Sequence, residues 1–143
     1  MDELLNTAPC GFLSFGDDGT VTLANATLLG GHVRVDDHVV TGGQVAIAPF
    51  VRIGERAFVA GGALVERDIP PFVIAAGDRA RVRALNVVGL ERAGVSPASR
   101  AALQRAFRQL FRSGEPRRVV AAELADHADP LVRRLAQHVL ETR

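Results

Sequence analysis

Residues Leu23 to Pro70 read LANATLLGGHVRVDDHVVTGGQVAIAPFVRIGERAFVAGGALVERDIP, and this stretch repeats itself every six residues. One column of the repeat is Leu23, Leu29, Val35, Thr41, Ile47, Ile53, Val59 and Val65. The next is Ala24, Gly30, Asp36, Gly42, Ala48, Gly54, Ala60 and Glu66. Three positions further on comes Thr27, Val33, Val39, Val45, Val51, Ala57, Ala63 and Ile69. An aliphatic residue, then a small or acidic one, then a small or β-branched one, is the hexapeptide pattern of a parallel β-helix. Neither a helix, with period 3.6, nor an ordinary strand, with period 2, repeats at six.

A block of six supplies one short strand and one tight corner, so three blocks close a triangular turn. Turns stack at roughly the 4.8 Å strand spacing. The aliphatic column then points inward, and residues three blocks apart stack, placing Leu29 near Ile47 and Val65. The small residue that follows is expected at the bend, where glycine adopts positive φ. The blocks make a short prism, so caps and neighbouring chains are expected to complete its burial. An antiparallel β-domain with accidental spacing is the alternative.

The rest of the chain is read against that prism. It has seven Phe and no Trp or Tyr, which suits a narrow interior filled by Val, Ile and Leu. The single Cys10 excludes an internal disulfide and fits a reducing compartment. No stretch approaches a membrane span, and the acidic start, Asp2 and Glu3, is unlike a signal peptide, so the expected location is cytoplasmic. Residues 1–70 hold four Arg and nine acids, and residues 71–143 hold thirteen Arg and seven acids. The C-terminal half is therefore basic, which suits solvated helix faces or an anionic partner. Nucleic acid is an unlikely fit, because no aromatic side chains sit among the arginines at a reader motif.

Pro70–Pro71 is expected to end the prism, since proline cannot donate to a ladder. Phe72 to Ala76 reads as a last strand and Gly77–Asp78 as a turn. Asn86 to Arg92 reads as a short helix ending at Gly94. Ser96, with Pro97 behind it, caps a helix that carries Leu103, Phe107, Leu110 and Phe111 on one face and closes at Gly114. Pro116 opens a helix with Val119, Val120 and Leu124, and Asp129–Pro130 caps one with Leu131, Leu135 and Val139. The expected fold class is mainly β plus α: residues 1–22 a diverged or foreign cap, 23–76 the hexapeptide prism, and 77–143 a helical domain packed on its end.

The run from Leu23 through DIPPFVIAAGDRARVRALNVVGLERAGVS resembles the UDP-N-acetylglucosamine O-acyltransferase family of lipid A biosynthesis. The resemblance extends from about Leu23 to Gly114. It implies a homotrimer of left-handed β-helices with a C-terminal helical domain and active sites between subunits. It also implies transfer of a 3-hydroxyacyl chain from acyl carrier protein to the sugar 3-hydroxyl. By that resemblance Gly31 is the glycine whose N–H holds the oxyanion, a donor of a kind worth ~3 kcal/mol of barrier. His32 is a substrate-contacting neighbour. Asn86 and Arg92 contact the nucleotide sugar, where a planar guanidinium suits a diphosphate. Gly61 falls where the family limits acyl-chain length. No cofactor or metal is expected.

The match also fails in places. The family's general base, the second histidine of a His-x-x-His-Asp motif, falls on Leu13. The first histidine falls on Cys10 and the aspartate on Ser14. None of these can take the sugar proton. A further His-Gln pair falls on Ala48 and Pro49, and a glutamate and an arginine fall on Val88 and Ala93. Residues from Met1 to about Asn25 instead resemble the opening of a PAS sensor domain, a short helix and then a hairpin turning at Asp18–Gly19. The chain therefore reads as a truncated and catalytically impaired acyltransferase half. The alternative is a non-catalytic UDP-sugar or acyl-carrier-protein binding module on the same scaffold. His32 and His38 face different sides, and His127 and His138 are expected on separate helices, so neither pair suits a metal. Cys10 has no histidine near it to make it a nucleophile. Arg79, Arg81 and Arg83 are expected in a solvated loop, with docking of acyl carrier protein as the functional reading.

Overall fold

The computed structural model describes residues 13–15, 21–24 and 28–142. Cys10, the expected helix before it and the Asp18–Gly19 turn lie outside the described residues. Strands β1 (Leu13–Phe15) and β2 (Val21–Ala24) pair antiparallel, with Ser14 opposite Leu23. From Leu28 the chain lays down a two-residue strand in every block: β3 (Leu28–Leu29), β4 (Arg34–Val35), β5 (Val40–Thr41), β6 (Ala46–Ile47), β7 (Arg52–Ile53), β8 (Phe58–Val59) and β9 (Leu64–Val65).

Partners are parallel and lie three blocks apart. Leu29 pairs with Ile47 and Ile47 with Val65, Val35 pairs with Ile53, and Thr41 with Val59. From Thr41 onward the aliphatic column faces inward as expected, with Ile53, Val59 and Val65 each 0% exposed, whereas Leu29 is 37% exposed and Val35 half-buried. The third column is buried with it at Val39, Val45, Val51, Ala57 and Ala63.

The corners correct the sequence reading. Positive φ falls two residues after the small column, at His32 (57°), His38 (59°), Gln44 (56°), Phe50 (65°) and Arg56 (54°). That is the second central residue of a tight turn, as in type II. The bond from Ala57 N–H to Gly54 O, 3.2 Å, closes one such turn. The small column serves the stacking instead. A Cβ added to Gly42 would stand 2.4 Å from the Gly61 nitrogen, and one on Gly54 would stand 2.4 Å from the Pro71 nitrogen. The backbone of the next rung occupies that space.

Pro70–Pro71 does not end the ladder. Ile69 bridges Ile53, and β10 (Val73–Ala76) pairs parallel with β8, Ile74 opposite Phe58. This last rung is two residues shorter than the others, so Ile69 takes the place of the aliphatic column and not of the third. The Asp68 carboxylate makes up the missing backbone contact by accepting the Arg52 N–H at 2.7 Å. Pro71 sits in the following turn, where no ladder donor is required.

The expected loop past Gly77 is a strand, β11 (Arg81–Leu85), antiparallel to β10. Its alternation of exposed Arg81 and Arg83 with half-buried Val82 and Ala84 is the period-2 signal that marks it. The hairpin straddles residues 76 and 77. One six-stranded sheet results, in the order β11-β10-β8-β5-β1-β2, beside sheets β3-β6-β9 and β4-β7.

Four helices follow: α1 (Val87–Arg92), α2 (Pro97–Arg112), α3 (Arg117–Leu124) and α4 (Pro130–Glu141). Ser96 Oγ accepts from Ser99 N–H, and Asp129 accepts from Leu131 and Val132 N–H, so both expected caps are made. Leu103, Phe107, Leu110, Val120, Leu135 and Val139 are buried, as their spacing requires, together with Val132 and Ala136. No described helix is long and apolar enough to cross a membrane.

α4 reaches back to the prism through charge. Arg52 pairs with Asp36 on the neighbouring rung and with Glu141, both at 3.0 Å, and Arg134 pairs with Glu55 at 3.0 Å. Behind this cluster His138 is 4% exposed, and neither ring nitrogen has a hydrogen-bond partner among the described residues. Burial, helped by the charge of Arg52 and opposed by Asp68, Asp36 and Glu141, pushes its imidazolium down to about 4.

Candidate functional site

Gly31 and His32 are the two central residues of the turn between β3 and β4. The rung above holds this turn from both ends. Gly30 N–H donates to Ile47 O at 2.8 Å, and Phe50 N–H donates to Gly31 O at 2.9 Å. The Gly31 N–H between them has no partner among the described residues. Among the described residues a Cβ on Gly31 would meet nothing within 4 Å, and its φ is not left-handed. Neither packing among the described residues nor backbone conformation calls for glycine there. Gly30 is the opposite case, because a Cβ there would stand 2.5 Å from the Pro49 nitrogen. Position 31 thus offers a rigidly held, open N–H donor, the type of group that stabilises developing negative charge. Ala48 and Pro49, where the resemblance led to a His-Gln pair, form the backing of this turn.

Asn86 is placed by the fold before any ligand is considered. Its N–H donates to Phe72 O at 2.7 Å and its Nδ2 donates to Arg56 O at 2.9 Å. Its Oδ1 accepts from Gly89 N–H at 3.1 Å, capping α1. A Cβ on Gly89 would lie 2.4 Å from Nδ2, so glycine is needed there to seat the amide. One amide proton remains for a ligand. Asn86→Ala should lower stability by about 1–2 kcal/mol, through loss of the cap and an orphaned Arg56 carbonyl. Thermal or urea unfolding reads this, and an unchanged midpoint would refute it.

Arg92 lies in the last turn of α1 and is exposed. It makes no ion pair among the described residues, whereas nearby Glu91 pairs with Arg100 at 3.0 Å. Val88 is 57% exposed, and Ala93 is the C-cap residue, so neither supplies charge. Gly61 is the first central residue of the turn between β8 and β9, where an added Cβ would stand 3.2 Å from Gly43 O.

These candidates occupy three different corners of the prism. Phe50 N–H stacks its turn on Gly31. Arg56 N–H joins the 55–56 turn to Asp37, and Phe72 N–H joins the 71–72 turn to Glu55. Gly62 N–H joins its own turn to Gly43. Gly31 and His32 share the first corner, Asn86 docks on the second with Arg92 one helix away, and Gly61 lies on the third. One chain does not bring them into a single pocket.

Leu13 is displaced as well as inert. Continuing the repeat backward would set it under Gly31, but it pairs antiparallel with Thr41 on the six-stranded sheet, and Ser14 follows it there. Reversal of strand direction takes both positions away from the Gly31 corner. His127 is also not helical. It sits in the link before α4, where its Nδ1 accepts from Asp129 N–H at 3.0 Å. No group of three metal-ligating side chains occurs among the described residues. Of the basic cluster, Arg79 pairs with Glu66 at 3.5 Å. Arg83 rims a cavity of about 300 Å³ with Val87, Phe107, Arg108 and Arg112. Phe50 was not singled out in the sequence. Its ring lies flat on His32, centroids 4.9 Å apart and planes 8° from parallel.

A family model described as UDP N-acetylglucosamine O-acyltransferase, domain 2, matches residues 68–143, just over half of the chain. The chain belongs to that UDP N-acetylglucosamine O-acyltransferase family. Among its relatives is an acyl-[acyl-carrier-protein]–UDP-N-acetylglucosamine O-acyltransferase of Nautilia profundicola. It is 41% identical over 122 residues, which cover 85% of this chain and 47% of the relative. Solved structures agree. The UDP-N-acetylglucosamine acyltransferase of Arabidopsis superposes with a TM-score of 0.75 at 36% identity, over 79% of this chain and 42% of that one. That of Campylobacter jejuni gives 0.72 at 33%, over 85% and 52%. The chain spans about half the length of the curated relatives it matches. The hexads, the hairpin and α1 to α4 are the acyltransferase-family part of it.

Proposed function

We propose that this chain is the C-terminal half of an acyl-carrier-protein-dependent O-acyltransferase of UDP-N-acetylglucosamine, acting at the first step of lipid A biosynthesis. Its rungs form a left-handed parallel β-helix, a homotrimer in the cytoplasm, with residues 77–143 as the helical domain. The observation that carries this reading is the open, doubly pinned N–H of Gly31 in a chain of this family. In a trimer, corners that are apart within one copy face corners of the next, so a site can be assembled from Gly31, His32, Asn86 and Arg92. Gly61 then bounds the acyl chain, and its lack of a side chain leaves room for a long one.

The proton from the sugar hydroxyl has no acceptor at Leu13, so the chain binds the nucleotide sugar and does not transfer the acyl group by itself. That displacement favours the binding-module reading for this chain taken alone. Calorimetry with UDP-N-acetylglucosamine, beside a transfer assay with 3-hydroxyacyl carrier protein, separates the parts. Binding without turnover is expected. Clear turnover would remove the impairment, and absence of binding would remove the substrate assignment. Sedimentation tests the trimer, against which a stable folded monomer would count.

A further inference from the structure

Phe50 is a costly residue for its position. Its φ of 65° is left-handed, where a bulky side chain is an outlier. Its side chain is 75% exposed. Phe72 stands at the equivalent place of another turn with φ 66°, but it is 0% exposed, and burial explains it. No such burial offsets Phe50. Its polar counterparts at the other corners, His38, Gln44 and Arg56, show that the turn itself does not ask for an aromatic ring.

What distinguishes the Phe50 corner is its neighbour one rung below. The ring covers one face of His32 while the Phe50 N–H holds the Gly31 carbonyl. One residue thus restrains both groups of the candidate site at this corner. We propose that Phe50 is a positioning residue: it fixes the His32 imidazole beside the open Gly31 N–H, so that both meet a bound nucleotide sugar in one geometry. This rests on the substrate reading given above. A stacked aromatic pair has a defined geometry and adds to the energy of simple burial, which is what holding an exposed imidazole against solvent requires.

The test uses the whole chain, isotopically labelled, as wild type, Phe50→Leu and Phe50→Tyr. The His32 ring protons are followed by NMR, UDP-N-acetylglucosamine affinity by calorimetry, and assembly by sedimentation. Phe50→Leu should shift the His32 ring protons downfield as ring-current shielding is lost, and weaken the nucleotide sugar about three- to tenfold. Phe50→Tyr should restore both. Unmoved His32 signals in Phe50→Leu, wild-type affinity in that variant, or a loss of affinity that follows a change in assembly would each overturn the proposal. If wild type itself does not bind the nucleotide sugar, the substrate reading falls, and the His32 shifts alone decide the positioning role.

Discussion

Arg92→Ala should weaken binding of UDP-N-acetylglucosamine by about 10- to 100-fold, the range expected for losing charge-assisted hydrogen bonds to a phosphate. The melting temperature should not move. Arg92 is exposed in the last turn of α1 and pairs with no acid among the described residues, so its removal breaks nothing in the fold. It is nonetheless held in place, because Asn86 anchors the start of α1 to the Arg56 carbonyl and Gly94, at φ 75°, ends it. Arg92→Lys separates charge from shape. A lysine keeps the attraction but donates as a point, so affinity should fall between wild type and alanine. Calorimetry at fixed ionic strength measures all three. Equal affinity of Arg92→Ala and wild type would remove Arg92 from the site.

Stability should fall by about 3 kcal/mol between pH 6.5 and pH 4 because of one buried imidazole. The folded state holds His138 at about 4, below its ordinary 6.5. Between those values the unfolded chain binds the proton and the folded chain does not, so stability rises with pH across the window. It is fully present above about 6.5 and lost as pH falls toward 4. Desolvation is the first cause and Arg52 the second, while Asp68, Asp36 and Glu141 pull the other way. The comparison that isolates the imidazole is with His138→Leu. That variant should lack most of the slope above pH 5. It should stay within about 1 kcal/mol of wild type at pH 7, since it removes two ring nitrogens without partners. A slope unchanged in His138→Leu would sink the assignment.

The repeat made the rungs legible because an inward side chain at every sixth residue leaves few other solutions. Leu29, Ile47 and Val65 stack as their spacing required. The corners were less legible. Left-handed φ was sought at glycine, but His32, His38, Gln44, Phe50 and Arg56 adopt it, held there by the bond each turn makes with the rung above or below. Tertiary hydrogen bonding overrode residue preference. Pro70–Pro71 misled in the same way. A proline that forbids a ladder bond is harmless in a corner, and Asp68 fills the gap left by the short rung. In β11 the alternation Arg81, Val82, Arg83, Ala84 was present but hidden by the arginines. The candidate site residues were named one by one from family likeness alone. Its layout was not, because only the coil shows that Gly31, Asn86 and Gly61 stand on separate edges.

A stack of like rungs is a one-dimensional crystal, and in principle it could grow by adding another molecule to either end. The six-stranded sheet ends at β11, which runs antiparallel to β10, while β5, β8 and β10 run parallel. At that edge an incoming parallel coil would meet a strand pointing the wrong way for its register. At the β11 side a backbone acceptor is already taken, since Arg112 donates to Arg83 O at 2.6 Å. A reversed terminal strand and a capped carbonyl are the kind of mismatch that keeps repeat proteins from polymerising into fibres. On this face the β10–β11 hairpin closes that end of the stack.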